Sequence, residues 1–355
     1  MKLQALTSLA AAVALAGSTV AQAGTVTSDG QDLVIKTKGG FKISTVDKQY
    51  SFKVGGRIQY DYNRAEENGV ADEDDFGIRR ARLYAAGDIK DWSYKAQFNI
   101  GQGNGGSPED LYIRYNGFGK KAKITIGNQR MPFGLEAQTS SNDITMLERS
   151  AITEGYDIGR EEGIQLSGAQ DDFTYAIAAF EVDGSSGSED DFGVAARATL
   201  APVKTDDTVV HLGAAYQNVA DDSSAVGLEF AVSTGSLHGQ VEYIDAEWAG
   251  VDLDGYYVQV GYIVTGEQRP YKGGKFKRVK PQGDCGAVEV VVRYEDGDGN
   301  YGDIELGSTD ASAWGIGVNW YLKNNVRLGM NYTDGEDNNG PDDGDEFRAR
   351  VQLTF

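Results

Sequence analysis

The chain has 355 residues, a formal net charge of −21, 47 glycines and one cysteine. A single cysteine excludes an intrachain disulfide framework. The acidic balance argues against a nucleic-acid partner, because phosphate backbones are bound by clustered Lys and Arg. We therefore expect neither a disulfide-rich secreted scaffold nor a nucleic-acid-binding protein.

The first 23 residues predict a secretory signal peptide. Lys2 supplies a positive start, residues 6–16 form an apolar core, and Ala21-Gln22-Ala23 is a small-residue cleavage site before Gly24. Beyond this segment, no apolar run approaches the roughly 20 residues that a transmembrane helix requires. An exported protein of this kind is periplasmic, secreted, or an outer-membrane β-barrel.

From Lys53 onward, apolar and polar residues alternate with period two, the pattern of β-strands. In residues 312–322, for example, the even-numbered positions from 314 onward are apolar, and the odd-numbered ones are mostly glycine, asparagine or tyrosine. Sixteen such segments are predicted between clusters of Gly, Asp and Asn: 53–62, 77–87, 92–101, 110–117, 122–129, 162–168, 172–181, 191–200, 208–218, 224–233, 237–245, 254–264, 286–295, 311–322, 325–333 and 345–355.

The distribution of charge between the two faces distinguishes a membrane barrel from a soluble sandwich. Segment centres carry almost no charge on the apolar face, and we place exceptions such as Arg79, Glu109 and Asp245 at segment ends. An arginine facing lipid at the bilayer midplane would cost about 2–4 kcal/mol. Tyrosines share the apolar face near segment ends, as in an aromatic girdle: Tyr60, Tyr62, Tyr216, Tyr243, Tyr262, Tyr294 and Tyr332. The pattern predicts an all-β fold, a transmembrane antiparallel β-barrel of about sixteen strands.

The connections between segments predict the topology. Short turns alternate with longer acidic connections, which we assign to the periplasmic and extracellular sides respectively. The acidic residues form either a solvated rim or divalent-cation sites that bridge to lipopolysaccharide. Two connections are unusual. Residues 130–161 are rich in apolar side chains, so we expect an inward-folded third extracellular loop, and 265–285 carry six basic residues where a short periplasmic turn is expected.

Several short motifs follow one another in a fixed order along the mature chain. They include Gly55-Gly56-Arg57-Ile58-Gln59, Arg79-Arg80-Ala81-Arg82-Leu83, Trp92-Ser93-Tyr94-Lys95-Ala96-Gln97-Phe98, Pro132-Phe133-Gly134-Leu135-Glu136, Met146-Leu147-Glu148-Arg149-Ser150, Val264-Thr265-Gly266-Glu267-Gln268-Arg269-Pro270-Tyr271, and the closing Phe355. This ordered set resembles the phosphate-selective porin O and P family.

The resemblance implies a homotrimer of sixteen-stranded barrels that conduct small anions such as inorganic phosphate or polyphosphate. It also implies a pore narrowed by the third extracellular loop and by a long periplasmic turn. The expected domains are a signal peptide at 1–23, a short periplasmic N-terminal segment at 24–52 and a porin barrel at 53–355. The expected surroundings are the lipid and lipopolysaccharide of the bacterial outer membrane.

Arginine suits phosphate because its planar fork donates two parallel hydrogen bonds and keeps its charge. The strand register places more basic than acidic side chains on the inward face. We predict that the following residues line the pore and bind anions: Arg57, Arg80, Arg82, Lys95, Arg114, Arg130, Arg149, Arg160, Lys275, Lys277, Arg278 and Lys280. The wall arginines could instead pair with loop carboxylates and hold the loops in place.

Three other functions remain open from the sequence. The acidic rim favours a general or cation-preferring porin for small hydrophilic solutes. The apolar 130–161 connection would fit a plugged, structural barrel. An enzyme would need a nucleophile oriented by a base, but the chain has only His211 and His238, with no neighbouring pattern that recommends them. We therefore expect no catalytic residue, no metal and no cofactor.

Overall fold

A computed structural model describes residues 24–28, 31–37, 40–101, 106–182, 191–219, 223–248, 251–298, 310–338 and 343–355. The predicted signal peptide lies outside these residues. Among the helices that the structure describes, none is long and apolar enough to cross a membrane.

The described residues form strands and two short helices. The strands are β1 (Gly24–Ser28), β2 (Gln31–Lys36), β3 (Phe41–Thr45), β4 (Tyr50–Glu67), β5 (Val70–Ile89), β6 (Trp92–Asn99), β7 (Ser107–Tyr115), β8 (Lys123–Arg130), β9 (Arg160–Gln170), β10 (Phe173–Val182), β11 (Asp191–Lys204), β12 (Thr208–Val219), β13 (Ser223–Thr234), β14 (Leu237–Trp248), β15 (Val251–Ile263), β16 (Ala287–Asp298), β17 (Asp310–Lys323), β18 (Val326–Asp337) and β19 (Asp343–Thr354). Helices α1 (Leu135–Gln138) and α2 (Ala151–Tyr156) lie between β8 and β9.

Strands β4 to β19 form a closed barrel. Each pairs antiparallel with the next, and β19 returns to β4 through pairs such as Ala349 with Tyr62. The predicted sixteen-stranded antiparallel barrel is confirmed, and every predicted segment overlaps one of these strands. Strand β3 also pairs with the first part of β4, for example Phe41 with Val54, and β1 to β3 extend the sheet there.

The barrel wall is apolar on its outer face and polar on its inner face, the reverse of a soluble protein. Large apolar side chains are exposed on the outside, with Leu228 at 54% and Val292 at 52%. Charged side chains of the alternate register are buried on the inside, including Glu229 at 4% and Arg327 at 2%. Since exposed apolar side chains on nearly every strand are unfavourable in water, this outer surface suits hydrocarbon.

A β-bulge in β5 places Arg79 on a different face of the wall from the predicted one. Opposite β4, Gln59 pairs with Arg80 but Tyr60 pairs with Ile78, which leaves Arg79 as the extra residue. A bulge changes the alternation of side chains along a strand. The Arg79 guanidinium therefore bonds to Glu148, as that of Arg80 does. The expectation that Arg79 lies on the apolar face was wrong.

A second irregularity places Glu109 on the inner face of the wall, not on the predicted apolar face. The register between β6 and β7 shifts between Ala96 and Phe98, so Glu109 and Asp110 together face this position of β6. Glu109 is only 7% exposed and lies on the inside of the barrel. Its assignment to the apolar face was also wrong, because a strict period of two does not hold across the shift.

Some strands run further than their sequence pattern predicted. β4 and β5 are joined only by Asn68 and Gly69, whose φ angles are 50° and 73°. An Asn-Gly pair with positive φ at both residues matches the right-handed twist of a hairpin. Much of the acidic connection expected between segments 325–333 and 345–355 is likewise strand, since β18 ends at Asp337 and β19 begins at Asp343. The acidic residues at 299–309 lie outside the described residues.

Candidate functional site

A polar cavity of about 530 Å³ lies inside the barrel, against strands β4 to β9. It is also lined by the 131–159 segment, which connects β8 to β9, and by the 264–286 segment, which connects β15 to β16. The lining includes ten basic and three acidic side chains, a formal excess of seven positive charges. The basic residues are Arg57, Arg79, Arg80, Arg82, Lys95, Arg130, Arg149, Arg160, Lys275 and Lys277.

Nine of the twelve predicted anion-binding residues meet in this cavity, although they come from five strands and two connecting segments. The other three, Arg114, Arg278 and Lys280, are not among its lining residues. Arg114 donates to Thr125 Oγ1 at 2.8 Å. Arg278 donates to the backbone oxygen of Asn324, and Lys280 is exposed. Sequence alone could not separate these three from the rest.

The predicted register placed Arg79 and Glu109 on the apolar face, and Asp110, which shares the inward register of Arg114, was not among the predicted site residues. All three lie at the two register shifts, where neighbouring residues face the same side of the wall. The available signal was the pairing of like charges in sequence, Arg79 with Arg80 and Glu109 with Asp110. Like charges side by side suit an irregular strand that places both inside.

The acidic side chains neutralise only part of the cavity. Arg160 pairs with Glu109 at 3.0 Å and with Asp110 at 2.6 Å. Arg82 also pairs with Glu109, and Lys95 with Asp110. These four ion pairs hold three cations and two anions together on one side of the cavity. Other lining cations pair with carboxylates that do not line it, such as Arg130 with Asp157, whereas Arg57 and Lys275 form no ion pair among the described residues.

Arg57 has a different environment. Its guanidinium donates to Ser141 Oγ at 2.5 Å and to Asn142 Oδ1 at 3.3 Å, both on the 131–159 segment. No carboxylate forms an ion pair with Arg57 among the described residues. A buried guanidinium that keeps its charge and is held by neutral groups has donors to offer an anion.

The 131–159 segment is fixed to inward-facing side chains around the barrel. Arg327 of β18 donates to the backbone oxygens of Ile144 at 2.7 Å and Thr145 at 2.5 Å. On β14, the Glu242 carboxylate accepts from the backbone nitrogens of Leu135 at 2.5 Å and Glu136 at 2.8 Å. These wall residues therefore act on the segment, as the alternative interpretation of the wall arginines expected.

Apolar side chains of the same segment are buried. Phe133 and Ile152 are 1% and 0% exposed and pack with Ala215, Tyr257 and other wall residues. Met131 packs in a second cluster against β10 to β12. This burial explains why the composition of the segment does not suit a solvated connection.

The 264–286 segment meets the 131–159 segment. Phe276 packs against Leu135 and Ala231. Arg269 donates to the backbone oxygen of Asp143 at 3.1 Å, and the Asp143 carboxylate pairs with Lys277 at 3.5 Å. The two segments thus support each other where they border the cavity.

The ionisation of Lys275 is shifted by its surroundings. Burial, together with the nearby charges of Lys277 and Arg197, lowers the pKa of Lys275 to about 7. The Asp143 carboxylate opposes this shift but does not cancel it. The number of positive charges at the cavity therefore changes near neutral pH.

The two histidines are buried on the inner face of the barrel wall. His211 Nε2 is 2.9 Å from Glu229 Oε2, and His238 Nε2 is 2.8 Å from Glu289 Oε1. Within the described ranges, no group of three or more potential metal ligands is found. These buried pairs belong to the polar packing of the barrel interior.

Known proteins are similar to this chain in sequence and in fold. A sequence model of the family phosphate-selective porin O and P matches residues 52–219 and 216–355. Porin O of Pseudomonas aeruginosa is 34% identical over 434 aligned positions, covering 98% of each chain. An uncharacterized protein of Caulobacter vibrioides is 26% identical over 84% of this chain and 71% of its own.

Among solved structures, the anion-selective porin from Comamonas acidovorans superposes with a TM-score of 0.59 at 13% identity. That match covers 86% of this chain and all of the other. OprB of Pseudomonas putida gives a TM-score of 0.58 at 11% identity, over 87% of this chain and 95% of the other. At such low identities, these structures support the barrel fold alone.

Proposed function

The chain belongs to the phosphate-selective porin O and P family, and we propose that its basic cavity is an anion-selective passage for phosphate or polyphosphate. It is an outer-membrane porin, a passive channel. The family and the fold neighbours are channel proteins rather than enzymes.

The excess of seven positive charges in the cavity lining is the observation that carries this proposal. An anion entering the cavity exchanges water for guanidinium and ammonium donors, which lowers the cost of dehydration. Several cations spread over the wall and two segments provide several weak sites rather than one trap. Conduction requires such sites, since a single tight site would hold the ion.

The 131–159 segment acts in this proposal as the inward-folded third extracellular loop that narrows the pore. Its bonds to Arg327 and Glu242 and the burial of Phe133 support this role. The 264–286 segment contributes Lys275 and Lys277 to the same constriction. Part of the barrel interior is therefore packed, and in this proposal the anions pass through the cavity.

We also propose that the mature protein begins after residue 23 and assembles as a homotrimer. The alternation of an apolar outer surface with a polar interior leaves the outer wall available for lipid and for neighbouring barrels. Crosslinking of the detergent-purified protein, followed by mass measurement, tests the trimer. N-terminal sequencing of the same material tests the cleavage site.

A cation-preferring pore is disfavoured by the same lining. The acidic residues that suggested it lie largely at the ends of the long strands, for example Asp334 and Asp345, which face each other. Exposed charges are screened by salt within about 8–10 Å. The charge at the narrow cavity therefore decides selectivity, and the rim has less influence.

Single-channel recording in planar bilayers tests the proposed function. We expect a reversal potential of anion-selective sign in a KCl gradient and inhibition of the chloride current by phosphate. Arg57→Gln should weaken both effects, whereas Arg114→Gln removes a wall arginine away from the cavity and should leave them unchanged. A cation-selective reversal potential in the unmodified channel would contradict the proposal.

A further inference from the structure

One carboxylate of the 131–159 segment contacts four arginines of the wall. Glu148 Oε2 lies 3.1 Å from Arg79 and 2.8 Å from Arg80, and Oε1 lies 3.0 Å from Arg348 and 2.5 Å from Arg350. Hydrogen bonds and charges from Arg80 and the other arginines outweigh burial and lower the pKa of Glu148. The carboxylate is therefore ionised throughout the working pH range.

The four arginines come from two strands on either side of β4. Arg79 and Arg80 belong to β5, where the bulge turns both toward the interior. Arg348 and Arg350 belong to β19, which pairs with the other edge of β4. A carboxylate among several guanidiniums has the charge and oxygen geometry that a permeating oxyanion would present.

The four arginines depend on Glu148 to different degrees. Arg350 also pairs with Asp61 at 2.6 Å, and Arg348 pairs with Glu346 at 2.7 Å. For Arg79 and Arg80, Glu148 is the one carboxylate that forms an ion pair among the described residues. Both of these arginines line the cavity, whereas Glu148 does not.

We propose that Glu148 is a positioning residue that serves as an internal counter-anion: it holds Arg79 and Arg80 and withholds part of their charge from permeating anions. The channel's affinity for phosphate is then set partly by competition between the protein's own carboxylate and the ligand. This inference rests on the proposed anion passage and adds the residue that limits its strength.

The substitution Glu148→Gln tests the competition, because glutamine keeps the shape of the side chain and removes its charge. We expect the phosphate concentration that halves the chloride current to fall about fivefold, the effect of one freed cation about 4 Å from an anion in a water-like dielectric. The reversal potential in a KCl gradient should move further in the anion-selective direction.

Glu346→Gln is the matched control. It removes an equal charge beside Arg348 but leaves Glu148 among the arginines. We expect its phosphate inhibition to equal that of the unmodified channel. Each variant is first checked for folding by gel electrophoresis, in which a folded barrel and its heat-unfolded chain migrate differently.

A double-mutant cycle separates competition from a general loosening of the segment. In a channel that carries Arg79→Gln and Arg80→Gln, adding Glu148→Gln should no longer change phosphate inhibition, because the cations that it frees are absent. Equal phosphate inhibition in Glu148→Gln and the unmodified channel would refute the counter-anion role. An unmodified channel without anion selectivity would refute the proposed function itself.

Discussion

Titration of Lys275 should make the anion selectivity of the channel pH-dependent. Burial, and after it the charges of Lys277 and Arg197, lower the pKa of this lysine to about 7. Lys275 is therefore protonated at lower pH and neutral at higher pH. Since the charged form attracts anions, selectivity should be higher below the pKa and should fall as the pH rises through it.

The size of the effect follows from a single charge at the cavity. At about one pH unit below the pKa, Lys275 is about nine-tenths protonated, and at about one unit above it, about one-tenth. A unit charge about 4 Å from a permeating ion contributes about 1 kcal/mol in water and more at lower effective dielectric. That energy corresponds to about a fivefold change in the local chloride concentration.

Reversal potentials in a KCl gradient, measured on both sides of neutral pH, provide the assay. Chloride is the appropriate ion because phosphate itself changes charge in this range. Two variants bracket the expected behaviour: Lys275→Arg should be constantly anion-selective at both pH values, and Lys275→Met should be constantly less so. If Lys275→Arg retains the pH dependence of the unmodified channel, another group is responsible and the reasoning fails.

Three further predictions concern the turn, the packing and the outer wall. Lys277→Gln should reduce anion selectivity severalfold in the same recordings, whereas Lys280→Gln should not, because Lys277 is among the lining residues of the cavity and Lys280 is not. Arg327→Leu should destabilise the barrel by about 3 kcal/mol, since it removes the donors to the Ile144 backbone oxygen and to Asn319 Oδ1; a lower unfolding temperature and new protease cleavage within the 131–159 segment would show this. Val292→Arg places a charge on the exposed apolar face and should cost about 2–4 kcal/mol in urea unfolding from lipid vesicles, while the same change at a solvent-exposed turn should cost little.

The barrel itself could be predicted because its strands repeat a simple rule. Over most of each strand, alternate side chains face hydrocarbon and water, so hydrophobicity alone assigns Leu228 to the outside and Glu229 to the inside. The same rule predicts that Arg57 and Lys95 face inward, and both side chains line the cavity. The pattern does not predict that β4 and β5 extend through acidic residues to Asn68-Gly69, because clustered charge is also typical of loops.

The detailed cavity depends on features that break the rule. Each register shift adds one residue and reverses the facing of the residues beyond it, so a parity argument fails at the position where Arg79 and Glu109 enter the site. Contacts between the two connecting segments, such as Asp143 with Lys277, join residues far apart in sequence that no local pattern relates. We therefore expect the irregularities of the wall, more than its regular part, to determine selectivity. The bulge in β5 turns Arg79 to the same side as Arg80, and both guanidiniums bind Glu148.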